Sequence, residues 1–361
     1  MAGSTGYIGS RVLRELLGCG YRVVAPVRSL PTNSERALSQ PAHSCDESNP
    51  PGGGVADAQG PSKEDAGGST HEGRNAGIEQ SGQSDPRATY VLAEHLTSQC
   101  LHDLIGDTKI HAVISCIASR RGGLRDSEIV DYGINRELLN WATQANVHQF
   151  TLLSAICVQK PRLAFQRAKL RFEQELQASG LAHAIVRPTA FFKSLSGQIN
   201  RVQNGKPFLV FGSGELTRCK PISEGDLARY LRLTIEDDEL RGVLPIGGPG
   251  PAITPLEQGR MLAEAAGVPF RSRSAPPSLL RWVAAALSLG GKVIPALNDR
   301  AEFARIGHYY ATESMLLWDT TKKAYDPDAT PSFGGETLYQ SYVDQIAGVS
   351  DQSLGEQAVF K

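Results

Sequence analysis

The chain begins with Met1-Ala2 and continues as Gly3-Ser4-Thr5-Gly6-Tyr7-Ile8-Gly9, a stretch whose three glycines are spaced by three. Glycines at this spacing let the backbone turn tightly, approach a pyrophosphate and pack a helix closely against a sheet. The apolar residues around Gly9 recur at helical spacing: Ile8, Val12, Leu13, Leu16 and Leu17. The N–H groups and dipole at the start of such a helix favour phosphate. We therefore interpret the stretch as a dinucleotide-binding loop rather than a chance glycine-rich turn.

A strand is predicted directly after this helix. Gly18 and Gly20 end the helix, and residues 21–28 read as the second strand of a nucleotide-binding unit. Arg28 stands at the end of that strand, where a carboxylate would bind a ribose 2′-hydroxyl. The planar guanidinium suits a 2′-phosphate instead, so the sequence favours NADP over NAD. The other interpretation of Arg28 is a solvated arginine at a strand end.

The expected first strand is missing from the sequence. The glycine fingerprint normally follows a buried strand, but here it follows Met1 and Ala2 alone. The first strand of a doubly wound sheet lies near the middle of the sheet, so the fold depends on it. We therefore expect that this sequence starts late and that the natural chain has further N-terminal residues.

Composition limits the classes of function. The 361 residues, 40% of them hydrophobic, suffice for one large α/β domain, with or without a substrate lobe. A formal net charge of −1 gives no reason to expect a nucleic-acid partner. The six cysteines show no CxxC pair and no metal-ligand spacing, so we expect free thiols and no metal site. Glycines and a lysine at 290–292 interrupt the apolar run 282–297, which argues against a membrane-spanning helix.

A long segment from about residue 30 to 88 differs from the rest. It is rich in Pro, Gly, Ser, Asn and charged residues, with Pro-Pro-Gly-Gly-Gly at 50–54 and almost no large apolar residue. Such a segment cannot bury enough surface to offset its ordering entropy. We predict a disordered insertion without a catalytic role.

Strands and helices alternate through the ordered sequence that follows. Predicted strands lie at 88–92, 111–118, 150–155 and 184–188, with helices at 96–105 and 131–145. Continuous apolar strands are typical of parallel sheets covered on both faces. This alternation predicts an α/β fold, a Rossmann doubly wound parallel sheet, with NADP-binding domain 1–194, substrate lobe 195–330, and C-terminal helix and tail 331–361. Ser115 and Cys116, near the carboxyl end of one strand, are expected beside the adenosine half of the cofactor.

Three residues further along suggest redox chemistry. Ser154 ends a predicted strand, and Phe165 and Lys169 lie four residues apart on a helix. With the glycine fingerprint, this pattern resembles the short-chain dehydrogenase/reductase superfamily, which has a Tyr-xxx-Lys motif. The resemblance implies that Lys169 holds the nicotinamide ribose and that Ser154 is catalytic. Phe165 stands where the superfamily has its proton-donating tyrosine, which makes the usual carbonyl chemistry doubtful.

Longer strings narrow the resemblance. The segments 154–161, 165–169, 187–194, 219–223, 244–250, 254–259 and 307–315 resemble the divinyl chlorophyllide a 8-vinyl reductases, an atypical, NmrA-like family of that superfamily. The resemblance covers essentially everything except residues 30–88. It implies reduction of the 8-vinyl group of a magnesium chlorin by NADPH in chloroplasts, for chlorophyll synthesis. Pro188 and Thr189, within the third segment, are expected at the cofactor.

This chemistry does not need a phenol aimed at a carbonyl oxygen. Hydride goes to carbon, and the conjugated macrocycle spreads the resulting charge, while the protein positions the cofactor against the vinyl group. The proton then comes from water or from a side chain, with four candidates: Cys157, Lys193, Tyr309 and Tyr310. Two rival hypotheses remain, an isoflavone-reductase-like reductase of a small phenolic and a non-catalytic NADP-binding sensor or assembly protein.

One apolar helix is predicted in the substrate lobe, at about 276–287. It is compatible with the lining of a flat pigment pocket, with peripheral contact to a thylakoid or envelope membrane, and with ordinary core packing. The expected partner is a small tetrapyrrole substrate. The sequence identifies no protein partner.

Overall fold

The computed structural model describes residues 1–29, 85–294 and 296–349. Within these ranges six parallel strands form the central layer, and they run Val23–Val27 (β1), Ala88–Leu92 (β2), Ala112–Ser115 (β3), Gln149–Leu153 (β4), Ala182–Pro188 (β5) and Gly242–Ile246 (β7). The predicted insertion at 30–88 falls largely outside the described residues, as does the predicted tail from residue 351.

The strands pair in two groups that meet at the N-terminus. β1 pairs with β2, while the other four follow the order β3-β4-β5-β7. Ala2 forms a parallel bridge with Ser115 of β3, and the amino group of Met1 donates to the carbonyl of Val24 in β1 at 2.6 Å. These two residues stand where the first strand of a Rossmann sheet lies. The order is thus that of the doubly wound nucleotide-binding fold, with two residues at its centre.

Helices cover both faces of this sheet. They are Tyr7–Gly18 (α1), Ser98–Ile105 (α2), Leu124–Asp126 (α3), Asn135–Gln144 (α4), Ala164–Ala178 (α5) and Glu224–Glu236 (α8). Adjacent residues of one strand point to opposite faces. Ile114, Leu153 and Val186 therefore pack with α1 and α8, whereas their neighbours Val113, Leu152 and Ile185 pack with α2, α4 and α5. Two apolar cores result, one on each face.

A smaller unit follows the sheet. It contains Phe192–Leu195 (α6), Ile199–Gln203 (α7), Phe208–Phe211 (β6), Pro255–Ala265 (α9), Ser272–Ala275 (β8), Ser278–Gly290 (α10), Ala296–Thr312 (α11), Leu317–Asp319 (β9), Ala324–Asp326 (β10) and Leu338–Ile346 (α12). β6 and β8 pair in parallel, and β9 and β10 form an antiparallel pair. Phe208, Leu262 and Tyr342 belong to a third buried core in this unit.

The predicted elements are present, with shifted bounds. The strand expected at 111–118 is β3, which ends at Ser115; the N–H of the next residue, Cys116, still donates to Ala2 in the bridge that joins the two. The helix expected at 131–145 is interrupted: Ser127–Ile134 forms a π-helix that continues into α4. Helix α8 and strand β7 belong to the main sheet although they lie in the stretch 195–330, and the proposed division into lobes stays a prediction. None of the described helices is long and apolar enough to cross a membrane.

Candidate active site

The glycine-rich loop forms the first part of the site. Gly3 has a φ of +81°, and a methyl group there would lie 2.9 Å from the carbonyl atoms of Cys116. A methyl group on Gly9 would overlap the carbonyl oxygen of Gly3, so the start of α1 packs directly on the loop. Gly6 caps α1 without a side-chain hydrogen bond. The buried Ser4 hydroxyl has no hydrogen-bond partner in the described chain. Free donors in a tight, concave loop fit the diphosphate of a dinucleotide.

The carboxyl end of β3 closes one side of this loop. Ser115 is fully buried, and its hydroxyl donates to the side-chain oxygen of Asn135 at 2.5 Å. The backbone of Cys116 packs against Gly3, and burial raises the pKa of the Cys116 thiol to about 12. Both residues thus adjoin the loop as the sequence indicated. Their contact with an adenosine stays a prediction.

Lys169 is held by an acidic partner. Its ammonium group lies 3.1 Å from Oδ1 of Asp131, and both side chains are almost entirely buried. Asp131 also accepts a hydrogen bond of 2.5 Å from the hydroxyl of Ser119. Asp131 lies in the π-helix, which brings its carboxylate over α5. A buried ammonium needs such a partner, and here the pair fixes the position of the lysine.

Ser154 faces a different carboxylate. Its hydroxyl donates to Glu173, which is buried one helical turn beyond Lys169 and forms an ion pair with Arg187 of β5. The Ser154 hydroxyl therefore donates its hydrogen bond to the carboxylate of this ion pair. The arrangement supplies a structural partner for Ser154, and its catalytic role stays a prediction.

The other residues predicted to contact the cofactor lie at the carboxyl ends of β1 and β5. Arg28 follows β1 directly and is exposed to solvent. Pro188 ends β5, and the hydroxyl of Thr189 donates to the carbonyl of Lys220. All three occupy the edge of the sheet that carries the glycine loop, which is where doubly wound folds bind their ligands.

Phe165 fills a small apolar cluster. The cluster contains Ile156, Cys157, Leu163, Tyr309 and Met315, with Phe165 and Ile306 packed against it. A methyl group on Gly122 would lie within 3.3 Å of both the Phe165 ring and the Ile306 side chain. Helix α11 therefore packs over Phe165, the position at which the resemblance predicts a tyrosine. This position offers a phenyl ring and no proton.

Lys193 belongs to a second cluster beside the loop. Its ammonium group lies 4.0 Å from the centre of the Tyr7 ring, and the Tyr7 hydroxyl donates to Glu224 at the start of α8. Burial lowers the pKa of Lys193, and the nearby Glu224 carboxylate opposes that change. Burial and Glu224 together raise the pKa of Tyr7. The cluster brings a cation, a phenol and a carboxylate to the glycine loop.

The tyrosines of α11 differ in their contacts. The hydroxyl of Tyr309 lies 3.0 Å and 3.1 Å from the backbone oxygens of Cys157 and Lys160, and the side chain is buried. The hydroxyl of Tyr310 lies 4.0 Å from the sulfur of Cys157, and Tyr310 is 44% exposed. Burial raises the pKa of the Cys157 thiol. The Tyr309 hydroxyl thus donates to the backbone, whereas the side chain of Tyr310 is partly exposed to solvent.

Comparison with known proteins gives a family. Residues 73–237 match a model described as NAD(P)H-binding. The chain is 42% identical over 367 residues to the chloroplastic divinyl chlorophyllide a 8-vinyl-reductase of Zea mays, which covers all of this chain and 82% of the maize protein. It is also 42% identical to the Oryza sativa subsp. indica protein of the same name, over 81% of that protein. The chain belongs to the divinyl chlorophyllide a 8-vinyl reductase family.

Solved structures show which fold this reductase shares. An Escherichia coli NADPH-dependent quinone oxidoreductase in complex with NADPH superposes with a TM-score of 0.56 at 16% identity, over 95% of this chain and 98% of that one. A UDP-glucose 4-epimerase of Thermotoga maritima gives a TM-score of 0.59 at 14% identity, over 96% of each chain. At these identities the likeness concerns the fold, and it confirms the predicted Rossmann architecture.

Two acidic residues of the reductase site escaped the sequence reasoning. Asp131 begins the helix predicted at 131–145, but a buried carboxylate there looks like any polar residue on an exposed helix face, and the helix that carries Glu224 was not predicted. Asp131 precedes Asn135 by four residues, so the two share one helix face. This four-residue spacing is the sequence feature that could have indicated a buried Asp131, and it is a weak signal.

Proposed function

We propose that this chain is an NADPH-dependent oxidoreductase that reduces the 8-vinyl group of divinyl chlorophyllide a, or of a related divinyl chlorophyll precursor, to an ethyl group. Relatives that carry this activity in their names match the chain along its whole length at 40–42% identity. They are named chloroplastic, which supports action in the chloroplast. Phe165 at the tyrosine position carries the argument from the site itself, because it removes the acid that carbonyl reduction requires.

NADPH supplies the hydride, and the residues of the chain bind and orient it. The glycine loop presents its N–H groups and the Ser4 hydroxyl to the diphosphate. Arg28, exposed at the end of β1, is placed for the 2′-phosphate that separates NADPH from NADH. Lys169, fixed by Asp131, orients the nicotinamide ribose. Because these groups are preset, the reaction loses little free energy in ordering them.

The proton has two sources in this proposal, water and a side chain. Among the four side chains, Tyr310 combines a partly exposed ring with a hydroxyl that lies beside the Cys157 sulfur and has no backbone acceptor in the described chain. The Tyr309 hydroxyl donates its hydrogen bond to backbone carbonyls, and the Lys193 ammonium contacts the face of the Tyr7 ring. Tyr310 is therefore the side chain that the geometry favours.

A pigment assay tests the function. The protein is incubated with divinyl chlorophyllide a and either NADPH or NADH, and the product is followed by its absorption and mass. We expect a gain of two hydrogens that requires NADPH. NADPH binding without conversion of any divinyl pigment would contradict the proposal and favour the sensor hypothesis, and turnover of a small phenolic would favour the isoflavone-reductase-like one.

Peripheral membrane contact is a further part of the proposal. The turn that joins α10 and α11 exposes large apolar side chains, with Val293 84% and Leu289 68% exposed beside Lys292, and Trp282 is 69% exposed on α10. Apolar residues next to a cation are typical of surfaces that enter the headgroup region of an anionic bilayer. A lipophilic pigment would reach the protein from the membrane at this surface.

Vesicle flotation tests this contact. We expect the protein to float with vesicles that contain anionic lipid, and the variant Trp282→Gln/Val293→Gln to remain at the bottom of the gradient. Val349→Gln is the control, because Val349 is 78% exposed but lies after α12. Equal flotation of the double variant and the wild type would contradict membrane contact through this turn.

A further inference from the structure

A cleft of about 420 Å³ lies between the start of α5 and the hairpin of α10 and α11. Leu163, Ala284 and Tyr309 form part of its apolar lining, and three arginines and a histidine surround it: Arg162, Arg281, Arg305 and His308. Its volume falls in the range of about 300–1,000 Å³ typical of small-molecule sites. An apolar cleft with a cationic rim favours a ligand that is apolar and carries an anion.

The cleft adjoins the site already described. Leu163 precedes the first residue of α5, the helix that carries Phe165 and Lys169. Tyr309 and Leu163 belong to the same buried cluster against which Phe165 packs. A molecule in the cleft therefore lies next to the cluster that holds Phe165.

The face that α10 turns to the cleft is built from small residues. Arg281, Ala284, Ala285 and Ser288 recur at spacings of three, four and seven, which places them on one side of the helix. Alanines on this face let a flat ligand approach the helix backbone. Arg281 lies at the N-terminal end of this face, one helical turn before the alanines.

The arginines differ in how their charge is balanced. Arg305 lies 2.9 Å from Glu302, and Arg162 lies 2.7 Å from Glu313, a carboxylate that it shares with Lys160. Arg281 is exposed and forms no ion pair or hydrogen bond with the residues that the structure describes. Arg281 is thus the arginine of this rim that has no carboxylate partner among the described residues.

We propose that Arg281 binds the free propionate carboxylate of the chlorophyllide while the small face of α10 contacts the macrocycle. This proposal rests on the proposed function, since it assigns a subsite for that substrate. A chlorophyllide is a planar, largely apolar ring with one free propionic acid, so it matches the cleft in both respects. The guanidinium binds a carboxylate through paired hydrogen bonds, which fixes the rotation of the ring within the cleft.

A cycle of two proteins and two pigments tests the subsite. Divinyl chlorophyllide a and its propionate methyl ester are titrated against the wild type and Arg281→Gln without cofactor, by the change in pigment fluorescence. We expect the ester to bind the wild type about tenfold more weakly than the acid, the variant to bind both pigments alike, and Arg281→Lys to recover part of the preference. Arg273→Gln, at an exposed arginine of β8, should behave as the wild type does.

The outcomes separate the two proposals. Equal binding of acid and ester by the wild type, or equal weakening of both by Arg281→Gln, would overturn the carboxylate subsite even if the enzyme reduces the vinyl group. Absence of vinyl reduction would overturn the proposed function, whereas the binding cycle would still give its own result. A changed KM for NADPH in Arg281→Gln would also overturn the subsite, since the residue would then serve the cofactor. Thermal melting confirms that each variant is folded.

Discussion

At the scale of the residue, the buried pair of Lys169 and Asp131 fixes the lysine that we propose to orient the cofactor. Lysine has a flexible stem, and its ammonium is useful for orientation when its position is fixed. Asp131 supplies that restraint at 3.1 Å, and Ser119 in turn holds Asp131. The lysine is thus part of a buried hydrogen-bonded network rather than a solvated helix residue.

Breaking this pair from the acidic side should destabilise the protein. Asp131→Ala leaves a buried ammonium without its partner, and we expect a loss of about 3 kcal/mol in the free energy of unfolding. The double variant Asp131→Ala/Lys169→Met should recover part of that loss, because it removes the stranded charge. Urea denaturation of the cofactor-free protein measures both effects. Losses that simply add would show that the two groups are not coupled.

Part of this residue-scale picture was predictable and part was not. Lys169 and the missing hydroxyl at Phe165 follow from a local spacing of four residues on one helix. The partners of these side chains do not, because Asp131 reaches Lys169 across the fold and Ser119 in turn donates to Asp131. Ser154 illustrates the same limit: its position at the end of a strand was readable, but its bond to Glu173 depends on α5.

At the scale of the element, the loop and α1 act as one unit. Gly9 packs against the carbonyl of Gly3, so the helix starts where the loop ends and its first N–H groups point toward the predicted diphosphate site. The pattern of glycines and apolar residues predicted this unit in full, since its contacts are local. The π-helix before α4 was not predictable in the same way, because apolar periodicity does not register one extra residue in a turn.

A single methyl group should separate binding from folding in this unit. Gly9→Ala forces the loop away from the helix, and we expect its affinity for NADPH to fall by at least about tenfold. Gly197→Ala is the matched control, since a methyl group there meets nothing within 4 Å. Fluorescence titration with NADPH compares the two variants with the wild type. Unchanged affinity in Gly9→Ala would mean that the loop does not hold the diphosphate.

At the scale of the whole molecule, the two strand groups are joined at Met1 and Ala2. The sequence predicted the parallel sheet and its helices, because each strand carries its own apolar run. It did not predict how the chain after β5 divides between sheet and lobe. Strand β7 and helix α8 return to the sheet through contacts with residues far earlier in the chain, which no local pattern records.

Buried thiols make the stability of the molecule depend on alkaline pH. Burial raises the pKa of Cys219 from 9.0 to about 12. Between these two values the unfolded chain loses the thiol proton while the folded protein keeps it, so stability falls as the pH rises. Below pH 9 this thiol does not lower the free energy of unfolding. Above pH 9 it lowers the free energy of unfolding by about 1.4 kcal/mol per pH unit. Cys219→Ala should therefore show a shallower decline from pH 9 to 11 in urea denaturation, and parallel curves would contradict the buried thiol.

Phe165 also has a consequence for chemoselectivity. A chlorophyllide carries a ketone on its fifth ring as well as the vinyl group, and a reductase that held both near NADPH could consume either. Ketone reduction requires an acid to protonate the alkoxide, and the position that supplies this acid in related enzymes is occupied here by a phenyl ring packed under α11. The absence of one oxygen atom thus protects one functional group of the pigment while the other is reduced.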